Sequence, residues 1–155
     1  MDDATTLDNF WHFDHATPVA SGKSDLYTVA LHEILHAVGI GTSDTWYNFV
    51  SGTTWTGTEV TALAGSGTDL ISSDGSHIAN STMSVRLSDH TAQEAVMDPD
   101  ITKGKRKTLT LLDLAFLRDI GYQTVPEPAT GTLVLLAMMI LSMGNRQQLR
   151  HPWSS

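Results

Sequence analysis

An α+β fold, loop-rich and with few long regular elements, is the class this sequence predicts, and three observations predict it. Leu26-Tyr-Thr-Val-Ala-Leu-His-Glu-Ile-Leu-His-Ala-Val-Gly39 reads as one amphipathic helix. Thr110-Leu-Leu-Asp113 resembles a capping box, with Asp in place of the usual Glu, and opens a second helix. Between them, residues 41–84 are crowded with Gly, Ser and Thr, which favour turns over ladders and helices.

Residues 1–23 hold Phe10, Trp11 and Phe13 among turn-like stretches, so a loop or one short edge strand is expected there. Ser24 is placed to cap the first helix, leaving Asp25 in the first turn, where the helix dipole favours an acid. That helix should run over 25–38, with Tyr27, Leu31, Ile34, Leu35 and Val38 forming its buried stripe. Gly39 stands where a left-handed C-cap is wanted. Residues 40–76 are expected to be mostly turns, with short helical character at Glu59–Ala64, and 85–97 to be irregular. The second helix should extend to Ile120, turning Leu111, Leu114, Leu117 and Ile120 inward, and end at Gly121. Each helix has an apolar face to bury, so the two are expected to pack together. Pro126 and Pro128 mark a linker, and Thr132–Met143 is almost wholly apolar. The expected organisation is a domain over 1–123, a linker over 124–131 and an apolar C-terminal segment over 132–150.

The 155 residues suit one domain with a modest core. Net charge is -8, and the main basic run, Lys103, Lys105, Arg106 and Lys107, is short. A nucleic-acid partner is therefore not expected, since phosphate backbones demand clustered positive charge. The same run reads as a solvated loop ahead of the second helix. With no cysteine there are no disulfides, thiolate metal sites or thiol nucleophiles. No serine lies in a Gly-x-Ser-x-Gly elbow, and no Walker-type or Gly-x-Gly-x-x-Gly loop occurs. Asp69, Asp74, Asp98 and Asp100 are too sparse for a calcium-loop pattern, although structural calcium in the middle segment stays open.

One motif carries chemistry. In His32-Glu33-Ile34-Leu35-His36 the two histidines share one face of a helix. Both imidazoles can reach one zinc ion, with Glu33 beside them as general base. Catalytic zinc sites normally take three protein ligands, so a third must come from elsewhere. Some metalloproteases complete the motif with a histidine three residues beyond the glycine. Here that position is Thr42, whose hydroxyl is a poor ligand, and Asp44 comes two residues too late. Four downstream candidates remain: Asp44, Glu59, His77 and His90. His77 lies in Ser73-Asp-Gly-Ser-His-Ile-Ala-Asn80, a glycine-containing loop able to fold back over a helix.

The order of these parts resembles the leishmanolysin-type metzincins. Those enzymes insert a long segment after the glycine of the zinc helix before delivering the third histidine. A Met-turn and a closing helix follow. Ala95-Val-Met97-Asp-Pro99 is similar to the Met-turn, and Leu109–Tyr122 to the closing helix, so the resemblance covers residues 24–122. It implies a zincin/metzincin-like catalytic domain with Zn2+ as cofactor, held by His32, His36 and His77. Met97 would pack beneath the metal as core and not as a ligand. The implied activity is hydrolysis of peptide bonds in protein or peptide substrates, with Glu33 as general base. Ile78 stands where the family usually has Trp. Only residues 1–31 precede His32, too few for the family's N-terminal sheet, so that sheet is expected to be largely missing and the chain N-terminally incomplete. The alternative expectation is a non-catalytic surface or matrix-associated protein that keeps the fold.

Val125-Pro-Glu-Pro128, the apolar run after it, and Arg146 and Arg150 together resemble the PEP-CTERM sorting signal of Gram-negative bacteria. The apolar run is shorter than the roughly 20 residues a spanning helix usually needs. The resemblance implies export, membrane association through the C-terminal segment, and processing by an exosortase-like enzyme. Met1-Asp-Asp-Ala-Thr-Thr6 lacks the basic and apolar regions of a signal peptide, which again points to residues upstream of Met1.

Overall fold

The computed structural model describes residues 9–123, which belong to the unit Met1–Gln123. The anticipated linker at 124–131 and apolar segment at 132–150 lie outside the described residues. Within the described residues no helix is long and apolar enough to cross a membrane. The architecture is α+β: helices α1 (Leu26–Ala37), α2 (Asp44–Phe49), α3 (Thr58–Ala64) and α4 (Leu111–Asp119) alternate with three two-stranded sheets.

β1 (Trp11–His12) lies parallel to β2 (Ser24–Asp25), so of the loop or short edge strand expected of the N-terminal residues, the described part holds a short paired strand. β2 runs straight into α1, and this moves the cap. Asp25, not Ser24, is the N-cap: its Oδ2 accepts from the Thr28 N–H at 3.0 Å. The carboxylate also receives the Arg106 guanidinium, at 2.8 Å from Nη2 to Oδ1. At its other end α1 closes as a Schellman motif. Gly39 has φ +110°, its N–H reaches the His36 carbonyl at 3.0 Å, and the Ile40 N–H reaches the Leu35 carbonyl at 3.1 Å.

The buried stripe of α1 is narrower than its sequence suggests. Leu35 is buried, and Leu31 and Val38 pack half-buried against the core, but Tyr27 is 44% and Ile34 57% exposed. The helix divides its surface three ways: one side meets the core, one carries His32 and His36 into a cleft, and Tyr27 and Ile34 fall on the remainder.

Residues 40–76 are more regular than their composition predicts. Ser43 caps α2, its Oγ accepting from the Trp46 N–H at 3.1 Å. β3 (Val50–Ser51) and β4 (Thr54–Trp55) form a hairpin, and α3 starts one residue before the expected Glu59. Asp119 at the end of α4 holds the start of α3, accepting from the Glu59 N–H at 2.9 Å and from the Trp55 indole at 2.8 Å. β5 (Met83–Val85) and β6 (Ala92–Glu94) pair antiparallel, so the stretch 85–97, expected to be irregular, holds β6 and the last residue of β5.

The Thr110–Asp113 capping box is present, but it sets the phase of α4 differently from the leucine spacing. Leu112, Asp113, Ala115 and Phe116 are buried, while Leu111, Leu114, Leu117 and Ile120 are only partly so. Asp113 must turn inward to bind the buried backbone of residues 96 and 97, and this rotates the helix. The main helical neighbour of α4 is α3 and not α1. α1 and α4 meet the same core, built on Leu35, Ile40, Trp46, Trp55, Ile71, Ile78, Met97 and Phe116. Trp46, Trp55 and Phe116 are mutually packed there, with ring centroids 4.5–5.2 Å apart.

Candidate metal centre

One helical turn places His32 and His36 side by side, their ring centroids 4.8 Å apart. His77 arrives from the far side of the cleft. Its centroid lies 4.8 Å from that of His36 and 5.3 Å from that of His32. One nitrogen from each of the three rings lies within 4.8 Å of the others, and Nε2 of His36 faces Nε2 of His77 at 3.1 Å.

The opposite nitrogens are all engaged. Nδ1 of His32 is 2.9 Å from the Val96 carbonyl, and Nδ1 of His36 is 2.9 Å from the Ile40 carbonyl. A carbonyl only accepts, so each Nδ1 carries a proton, and in the neutral imidazole each Nε2 then presents a bare lone pair. Nδ1 of His77 lies 2.9 Å from the Ser76 hydroxyl and 3.3 Å from Asp74 Oδ2. With Nδ1–H donated there too, the Nε2 lone pairs of His36 and His77 point at each other across 3.1 Å. That arrangement is repulsive unless a proton or a cation lies between them. Burial pushes the His32 imidazole below its ordinary value, against the opposing effect of its bond to Val96, and so favours the neutral form a metal requires. The three histidines therefore make a donor set that can hold a metal ion.

Two further layers fix this set. Val96 and Met97 sit in the tight turn before Asp98. The Val96 N–H donates to Asp113 Oδ1 at 3.0 Å, and the Met97 carbonyl accepts from the Ile78 N–H at 3.0 Å. This buried turn thus binds His32 through Val96 and the His77 loop through Ile78. Burial pushes the Asp113 carboxyl up, while donors from Thr110, Val96 and Met97 oppose the change. Met97 is fully buried in the core.

The second layer is the approach of the loop to Gly41. A Cβ on Gly41 would stand 1.9 Å from the Ser76 carbonyl oxygen, so only glycine lets the loop come this near. α2 secures both sides: the Tyr47 hydroxyl donates to the Gly41 carbonyl at 2.7 Å and the Trp46 indole to the Gly75 carbonyl at 2.8 Å.

The other sequence candidates stay apart from the three histidines. Asp44 is exposed in the first turn of α2. Glu59 lies on α3 with its carboxylate 3.6 Å from Arg118. His90 occupies a left-handed turn position, φ +57°, with its N–H on the Arg86 carbonyl. Thr42, which falls where a short-spaced ligand would, instead donates its hydroxyl to the His36 carbonyl at 2.7 Å.

Beside the histidines lies a cleft of about 280 Å³. Glu33 lines it, together with Val29, Pro99 and Ile101, and Thr28, Asp98 and Lys107. Lys107 is buried and held by Glu94 at 3.0 Å. Sequence reasoning passed over Asp74, Gly41, Trp46, Tyr47 and Asp113 as parts of the site. The Asp74-Gly75 pair was the one available signal, since that dipeptide marks a tight turn directly before His77. Comparison with family models, curated proteins and solved structures finds no match to this chain.

Proposed function

We propose that this protein is a zinc-dependent endopeptidase with a zincin/metzincin-like catalytic domain, in which His32, His36 and His77 hold the metal and Glu33 is the general base. The observation that carries this reading is the convergence of three Nδ1-anchored imidazoles beside a cleft that Glu33 also lines. Two nitrogens bound tetrahedrally to zinc at about 2.0–2.1 Å stand roughly 3.3 Å apart, close to the 3.1 Å between His36 and His77. A half-buried set of neutral imidazoles with open space on one side suits a catalytic ion better than a closed structural one.

A zinc ion held by His32, His36 and His77 would supply Lewis acidity and make a nearby water more acidic. Glu33, exposed on the next position of the helix from His32, accepts the proton of the attacking water and then delivers it to the leaving amine. Thr28, Val29, Pro99 and Ile101 form the wall against which a substrate side chain rests, and Glu94 pairs with the buried Lys107, so that cation is not left unpaired in the wall. The Pro-Glu-Pro stretch and the apolar run after it support a further part of the reading: export, with membrane association through the C-terminal segment and exosortase-like processing.

The test is metal content and casein cleavage measured together. The parent protein should bind one zinc per chain and lose cleavage on chelation, with folding followed in parallel because the metal also braces the site. Glu33→Gln should keep the zinc and lose activity by about 10²–10⁴-fold. Zinc-loaded parent protein that cleaves no peptide would favour instead a non-catalytic surface protein with the same fold.

A further inference from the structure

His32 and His36 are each held by a backbone carbonyl, which a side-chain substitution elsewhere does not remove. His77 is held differently, and that difference assigns a role to a residue outside the motif. We propose that Asp74 is the positioning residue for the third imidazole, its carboxylate fixing the Nδ1–H form of His77 and aiming Nε2 at His32 and His36. This rests on the reading of the three histidines as a metal site.

Two groups face Nδ1 of His77, the Ser76 hydroxyl at 2.9 Å and Asp74 Oδ2 at 3.3 Å. A hydroxyl can donate or accept, so Ser76 alone leaves the tautomer open. An ionised carboxylate only accepts, and its charge settles the proton on Nδ1. The loop is built to keep that carboxylate in place. Asp74 Oδ1 accepts from the Ser76 N–H at 3.0 Å and from the Ser72 hydroxyl, which leaves Oδ2 for the imidazole. Ser72 closes the loop from the other side: its N–H donates to the His77 carbonyl at 2.9 Å, and its Oγ accepts from the His77 N–H at 3.1 Å. Below these bonds Ile71 and Ile78 bridge and are buried. The His77 backbone is thus clamped to the core while its ring is set by an acid whose side chain is 57% exposed, against 21% for His77. Such an acid can be changed without opening the core.

Asp74→Asn is the informative variant. Asparagine forms the same side-chain turn, its oxygen still accepting from Ser72 and Ser76, but it turns an NH₂ toward Nδ1 where the carboxylate had an acceptor. Zinc affinity by competition titration should fall about 10–100-fold, with the unfolding temperature of the metal-free protein unchanged. Long-range 1H–15N spectra of the metal-free protein should show His77 leaving the Nδ1–H form while His32 and His36 keep it. Asp74→Ala should lose zinc affinity to at least the same degree. Parent-like zinc affinity and an unmoved His77 tautomer in Asp74→Asn would overturn the assignment to Asp74 alone. A Ser76→Ala protein that loses zinc while Asp74→Asn keeps it would overturn it too, handing the role to the hydroxyl. Absence of zinc uptake by the parent, or a His77→Ala protein binding zinc like the parent, would instead remove the three-histidine site on which the assignment stands.

Discussion

His32 and His36 ride on α1, where one turn of helix fixes their separation, whereas His77 stands on a loop that returns to them from 41 residues beyond His36. The helix needs only its caps and a few core contacts to present its two rings. The loop needs the Ile71–Ile78 bridge, the Met97 carbonyl, two aromatic side chains of α2 and the bare α-carbon of Gly41. A metal joining them would tie a locally determined element to one determined by tertiary contacts. The two halves of the site should therefore fail in different ways.

The largest difference is expected from removing ligands. His36→Ala and His77→Ala should each weaken zinc binding by more than the roughly 10–100-fold that follows loss of an outer partner. Their metal-free proteins should differ. His36→Ala strips the Ile40 carbonyl, beside a fully buried side chain, of its imidazole partner, costing about 1 kcal/mol. In His77→Ala the Nδ1 partners face solvent and turn to water, so the urea midpoint without metal should stay near that of the parent. A midpoint for His77→Ala as low as that of His36→Ala would show that the loop is not independent of its ring.

The same contrast explains what the sequence disclosed. The histidine pair, Glu33, the Gly39 cap and the Thr110–Asp113 box are signals of short range, and each is read from residues within a turn of one another. His77 is one of four candidates on residues alone, favoured a little by its glycine-containing loop and mostly by the resemblance, because no local pattern fixes which distant side chain a folded loop will bring back. α2 was hidden for a related reason. Its six residues, Asp44–Phe49, are too few for periodicity to declare, and Ser43 with Asp44 after it is all that marks its start. The leucine spacing alone misplaces the phase of α4, because Asp113 is a buried acid whose partners lie on the turn of residues 96 and 97.

A smaller effect isolates the close approach of the loop. Gly41 and Gly52 both have positive φ, +72° and +62°, but a Cβ on Gly52 meets nothing within 4 Å. Gly52→Ala should therefore report only the backbone cost of the left-handed region, about 1–2 kcal/mol. Gly41→Ala adds a collision with the Ser76 carbonyl and should cost about 1–3 kcal/mol more. The excess should come with weakened zinc binding, since relieving the clash moves the residue next to His77. Equal unfolding free energies for the two variants, or zinc affinity untouched in Gly41→Ala, would mean that the loop can yield without disturbing its ligand.

The smallest effect concerns the anchor of the helical half. Asp25 is buried at the start of α1, and burial alone would raise its carboxyl; the Arg106 guanidinium and the Thr28 hydroxyl and N–H outweigh this and hold it below its ordinary value of 3.8. The sign follows from proton uptake: as the solution is acidified, the unfolded chain takes the proton before the folded one. The stabilisation from Asp25 is therefore whole above the ordinary value and is lost as pH falls through the lower value of the folded state. Asp25→Asn keeps a capping oxygen for Thr28 and removes the charge facing Arg106. Parent and variant should differ in unfolding free energy at about pH 6 and converge below about pH 3. Subtracting the two curves cancels Asp113, whose burial-raised carboxyl would give the opposite slope. A difference that stays constant from about pH 6 to pH 2 would mean that the Asp25 carboxylate acts on α1 as a cap and not as the charge partner of Arg106.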